Sequence, residues 1–255
     1  MSSSLLEKSS PTQSRLFGRE SDNILAVPIA RLISDGCCKI QISVVAVMFS
    51  IQWQIQAFFA LPQYSQYRLI EVALSIRNYI IIALIIGIIA QIPQLQPLLV
   101  WDRQAILNGE VWRILTGNIT HTNWIHLAMN ASAFVIISFI FRAHFDPIRY
   151  SVLILSLSTI IGIGLFATQI SWYAGFSGVL HGLFAWGAIR DIQTKTKGGW
   201  LLLLGLIAKI SWEQCFGGSA SSAELIGVQV ATQAHLIGAI SGVIIALITA
   251  PKNKI

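Results

Sequence analysis

Four side chains are of types that could act together on an acyl group: Ser177 in GFSG, His235 in AHLIGAISG, and His126 with Asn130 in HLAMN. A serine hydroxyl becomes a nucleophile when an imidazole within hydrogen-bond reach takes its proton. The same imidazole can then protonate a leaving amine. The oxyanion formed on the way needs preorganised donors. The backbone N–H of Ser177 is a candidate, because the first N–H groups of a helix lack intrahelical partners. The side chains of His126 and Asn130 are two more. They stand at i and i+4 and so share one helical face.

Each residue also has a plainer reading. Gly and Ser are common packing residues in apolar helices, so GFSG taken alone is weak. Asn130 could be an interhelical hydrogen bond and His235 a buried, satisfied ring. A zinc site drawn from His121, His126, His181 and His235 lacks the HExxH spacing and a carboxylate base. A proton or ion pathway would call for Asp or Glu at mid-depth. These acids are nearly absent from the apolar segments.

The elements that must carry these residues are apolar. Of 255 residues 55% are hydrophobic and 11% charged, where a soluble domain carries roughly 25% charge. Mean hydropathy is +0.69, which excludes a disordered chain and an ordinary soluble enzyme. Apolar stretches fall at about 79–97, 122–141, 148–170, 175–190, 199–216 and 230–250. Six helices of this length predict an all-α, polytopic membrane bundle with a six-helix core over 76–255. Residues 1–75 read as an extension. Its polar, Ser-rich tail does not resemble a signal peptide. The segment 42–61 is apolar but interrupted by Gln52, Gln54 and Gln56, and reads as interfacial or as a poor span. The three cysteines, Cys37, Cys38 and Cys215, form no disulfide framework.

Charge orients the bundle. Arg68 and Arg77, Arg142 and Arg149, Arg190, Lys195 and Lys197, and Lys252 and Lys254 fall on one side, against Arg103, Arg113 and Lys209 on the other. Lys/Arg-rich loops stay cytoplasmic. Both ends of the core are then inside, and the amphipathic Leu98–His121 connection is outside. The net charge of +6 becomes a topology signal, with no nucleic-acid partner needed. In this arrangement the second, fourth and sixth segments all run inward. His126, Ser177 and His235 then share a depth near the outer face. Gly178 with Gly182, and Gly238 with Gly242, are small-xxx-small patterns that would let two of these helices touch.

Taken in order, the motifs resemble the rhomboid family of intramembrane serine proteases. Trp112 and Arg113 match its WR motif. His121, His126 and Asn130 match its spaced His, His and Asn. Gly175 to Gly178 supply GxSG, and AHLIGAISG matches AHxxGxxxG. The resemblance spans about Tyr79 to Ala250. It implies Ser177 as nucleophile, His235 as base in a dyad without Asp, a water-filled cleft on the outer side, and no cofactor. His181 stands where many relatives have a Tyr packed on the catalytic His. In SGVLHG it is similar to the rhombosortase branch of Gram-negative bacteria. That branch implies substrates that are membrane proteins with a C-terminal Gly-Gly-type tail, cut at the inner membrane with the site open to the periplasm. The bland reading of His181 is a spacer in place of the Tyr. The sharper one is a hydrogen-bonding orienter of His235. The competing readings of the whole chain are an inactive, client-binding relative and a transporter. A transporter would call for inverted repeats and a mid-membrane site.

Overall fold

The computed structural model describes residues 63–250; the segment 42–61 lies outside them. From Tyr67 onward they form one compact unit. Its elements in chain order are α1 (Gln63–Ala90), α2 (Gln96–Leu99), β1 (Trp101–Asp102), α3 (Arg103–Leu107), α4 (Arg113–Thr116), α5 (Trp124–Ile140), α6 (Pro147–Gly164), β2 (Trp172–Tyr173), α7 (Ser177–Gln193), α8 (Gly199–Phe216), α9 (Ala220–Ile226) and α10 (Thr232–Ile248). Five of the six long helices coincide with apolar stretches. The first differs most: α1 begins upstream of residue 76 and ends at Ala90, because the following stretch enters a turn and Pro97 opens α2.

The long helices turn their large apolar side chains outward as well as inward. Ile81, Ile85 and Ile89 on α1, Phe139 on α5, Leu155 on α6, Leu201 and Ile207 on α8, and Leu247 on α10 are all exposed. So many bare isoleucines and leucines fit hydrocarbon, not water. Pro147–Ala167 is the one described segment both long and apolar enough to cross a bilayer unaided; Trp124–Ile140 and Thr232–Ile248 are apolar but shorter. At 1.5 Å per residue a 17-residue helix reaches only about 25 Å, short of a hydrocarbon core about 30 Å thick.

Helix α7 is the axis of the bundle. Val179, Leu183, Ala185 and Ala188 on it are fully or almost fully buried. It meets α10 with no side chain between the backbones. A Cβ on Gly238 would stand 2.0 Å from the carbonyl oxygen of Gly178, and one on Gly242 2.1 Å from that of Gly182. Both contacts advance by four residues on both helices, so α7 and α10 run parallel and begin at the same end.

The Leu98–His121 connection is built, not loose. The short strands β1 and β2 pair antiparallel, Trp101 opposite Tyr173. Trp101 is fully buried and its indole donates to the carbonyl of Gly162 at 2.8 Å. Arg103 donates to the carbonyls of Leu165, Phe166, Thr168 and Ile170 at 2.8–3.1 Å, gathering the end of α6. The backbone N–H of Gly175 donates to Gly117 at 3.1 Å. These bonds hold the segment that leads into Ser177.

Candidate active site

Ser177 is the first residue of α7, which has no side-chain cap. Its hydroxyl oxygen lies 2.8 Å from Nε2 of His235, on the first turn of α10. The serine and imidazole are within reach because Gly178 and Gly238 let the two helices touch. Gly175, two residues earlier, has φ +147°, and a Cβ there would meet Cε1 of His126 at 2.9 Å. Only glycine both adopts that backbone readily and leaves room for the ring.

His126 and Asn130 are both buried on α5. Asn123 caps this helix by accepting the His126 backbone N–H at 2.8 Å. Nδ1 of His126 is 3.1 Å from the Thr122 hydroxyl, which donates to the Ile226 carbonyl at 2.6 Å. That chain ties the start of α5 to the end of α9. Nδ2 of Asn130 is buried and has no hydrogen-bond partner among the described residues. Leaving a buried donor unpaired costs about 1–3 kcal/mol. His126 and Ser177 line a cleft of about 480 Å³ with Trp172, Tyr173, Gly218 and Val230. Asn130 also lines an apolar cavity of about 450 Å³ with Tyr79, Leu127, Phe134 and Phe176, and its Nδ2 would lie 3.9 Å from a Cβ on Gly175, beside the loop that carries Ser177.

The remaining expected residues divide into neighbours and supports. His121 is buried edge-on against His126, ring centroids 5.0 Å apart. Its ring nitrogens have no partner among the described residues. Burial first, then the His126 ring, hold it far below an ordinary histidine, at about 3. Trp112 and Arg113 do not touch the site. The Trp112 indole donates to the Leu98 carbonyl at 3.0 Å, and buried Arg113 donates to Pro97 and Val100 while pairing with Glu110 at 2.6 Å. They stitch the connection that carries β1.

His181 reaches His235, but not by a hydrogen bond. The two rings stack at 4.1 Å with 17° between their planes. Nδ1 of His181 instead lies 2.7 Å from the Ser177 carbonyl, which accepts its proton. The hydrogen-bonding orienter read from sequence is therefore corrected: one helical turn places His181 under its own Ser177 carbonyl, and its face, not its edge, meets His235.

A residue that sequence reasoning did not select completes the cluster. Oε2 of Glu213, in the last turn of α8, lies 2.9 Å from Nδ1 of His235, and Oε1 lies 2.5 Å from Nζ of Lys209. The expectation of a site without a carboxylate is corrected by this contact. The available signal is a base and an acid at i and i+4 in a largely apolar helix, where the sequence reading takes Lys209 as topology alone. Ligand atoms of His181, Glu213 and His235 lie within 4.8 Å of one another. Both nitrogens of His235 are already engaged in hydrogen bonds, and its ring is nearly parallel to that of His181, so the lone pairs do not converge on a point.

A bundle of apolar helices that presents a paired serine and histidine just inside one end defines a polytopic membrane protein with a hydrolase-like site. Residues 108–252, more than half of the chain, match the Rhomboid domain family. The chain belongs to that family, whose members are generally intramembrane serine proteases. No curated protein matches the chain.

Proposed function

We propose that the protein is an intramembrane serine endopeptidase. The observation that carries this reading is the 2.8 Å contact between Ser177 Oγ and His235 Nε2. In the proposed reaction His235 Nε2 takes the Ser177 proton as Oγ attacks the scissile carbonyl. The oxyanion is met by the Ser177 N–H, by Nδ2 of Asn130 and by His126, which stands within van der Waals reach of the loop that carries Ser177. His235 passes its proton to the leaving amine. Water entering through the cleft then repeats the sequence on the acyl-enzyme. The substrates of this reading are transmembrane or C-terminally tail-anchored proteins. Of these, the His181 motif favours small-residue, Gly-Gly-type tails cut at the outer face of a bacterial inner membrane. The lysine and arginine distribution supports a cytoplasmic location for both ends of the core.

The test is a tailed membrane reporter co-reconstituted in liposomes, together with a fluorophosphonate probe. Ser177→Ala should remove both cleavage and labelling, and His235→Ala nearly so. The double variant should be no worse than either single one, because members of one catalytic unit are strongly non-additive. Wild-type cleavage by Ser177→Ala would overturn the protease reading in favour of a client-binding relative. With the native cysteines replaced by serine, cysteines placed at Asn108 and Ser221 should react with an impermeant thiol reagent from outside, and one at Thr194 should not; the reverse pattern would invert the orientation.

A further inference from the structure

Helix α8 reads GWLLLLGLIAKISWEQCF, and within it two charges stand one turn apart, Lys209 and Glu213. Charged groups at membrane depth are costly and seldom without a role. The plainest role for a lysine and glutamate at i and i+4 is mutual neutralisation. The geometry here goes further than that. The Glu213 side chain is 9% exposed and splits its two oxygens between partners: Oε1 takes Lys209, and Oε2 turns inward to Nδ1 of His235. A neutralising pair would not need the second oxygen against a ring that is itself only 6% exposed.

We propose that Glu213 is a positioning residue for His235, with Lys209 holding its carboxylate in place, so that the site works as Ser177–His235–Glu213 rather than as a serine–histidine pair. This rests on the protease reading above. A carboxylate can only accept, so the hydrogen bond at Nδ1 puts the ring proton on that nitrogen. Nε2 is then left with its lone pair facing the Ser177 hydroxyl, the tautomer a general base needs. When Nε2 takes the serine proton the ring becomes an imidazolium, and the carboxylate 2.9 Å away stabilises it. Glu213 itself stays ionised throughout. The stacked His181 fixes the tilt of the ring, while Glu213 fixes its rotation about the ring normal. The titratable and charged groups facing His235 are His126 from α5, His181 from α7, and Glu213 with Lys209 from α8.

The experiment compares the full-length wild type with Glu213→Gln, Glu213→Asp, Lys209→Met and the double variant Lys209→Met/Glu213→Gln, using the tailed reporter in liposomes and the fluorophosphonate probe. Glu213→Gln should lower kcat by about 10²- to 10⁴-fold, the upper end being the cost of losing the orienting carboxylate of a serine-protease triad. KM should stay within about threefold, since substrate binding is not touched. Glu213→Asp should recover part of the rate. The double variant decides between positioning and packing. If Glu213 only neutralises Lys209, removing both charges restores the wild-type rate, and the proposal fails. If Glu213 positions the base, the double variant stays as slow as Glu213→Gln. Wild-type kcat in Glu213→Gln, with Ser177→Ala dead, would overturn the role of Glu213 and leave the protease reading standing. Activity in Ser177→Ala would overturn both.

Discussion

Gly178 and Gly238 meet backbone to backbone: a Cβ on Gly238 would stand 2.0 Å from the Gly178 carbonyl oxygen. That contact, repeated one turn on by Gly182 and Gly242, is what brings a serine on one helix within 2.8 Å of a histidine on another. The site is a consequence of the absence of side chains at four positions.

The first prediction follows from that contact. Gly238→Ala should force α7 and α10 apart, cost about 1–3 kcal/mol as overpacking, and remove cleavage. Gly205→Ala on α8 is the control, since nothing lies within 4 Å of its added methyl. It should stabilise the helix by about 0.5–1 kcal/mol with full activity. Thermal unfolding in detergent and reporter cleavage measure both. Equal tolerance of the two alanines would mean that the α7–α10 contact does not position the pair.

Asn130 is predicted to act on the transition state alone. Its buried Nδ2 has no partner among the described residues, so Asn130→Ala leaves no broken bond in the resting protein. The expected loss is about 100- to 1000-fold in kcat, with little change in substrate affinity. His126→Ala should resemble it but also lose stability, because its ring is wedged beside Gly175. Single-turnover rates set beside equilibrium binding give the answer, and an affinity-only defect would make both residues docking or packing groups.

His181 should behave as a stacking partner. Its ring lies flat on His235 at 4.1 Å, and its one described hydrogen bond is to Ser177 within its own helix. His181→Tyr and His181→Phe should therefore keep most of the activity. His181→Ala should lose more, by leaving a cavity beside the base, and His181→Asn should not outperform Phe. An Asn variant that is more active than the Phe variant would restore the hydrogen-bonding role.

His121 carries a pH dependence of stability. Its pKa is lowered to about 3 by burial and by the His126 ring, whereas an unfolded histidine titrates near 6.5. Between these values the unfolded chain binds the proton and the folded one does not. Its contribution is complete above about pH 6.5 and is lost as pH falls towards 3. His121→Phe keeps the shape and removes the titration, so its melting temperature should fall less steeply between pH 6.5 and 4. Parallel slopes for the variant and the wild type would rule this out.

The sequence alone determined the elements and the shared depth of the reactive residues. Runs of apolar residues must become helices when backbone groups have no water to bond, so α5 to α8 and α10 could be located almost to their ends. His126, Ser177 and His235 fell near the starts of alternate helices for the same reason. The ordered motifs pointed to the serine and histidine themselves. What the tertiary structure decided was which edge of each ring faces which neighbour. Sequence spacing placed His181 on the same face as Ser177, but could not say that its ring would lie flat on His235 while its nitrogen turned back to its own helix. Glu213 was invisible as a partner because its contact crosses from the end of α8 to the start of α10. Pairing of that kind depends on the rotation of two packed helices about their axes, which local periodicity constrains only loosely and which interhelical packing fixes.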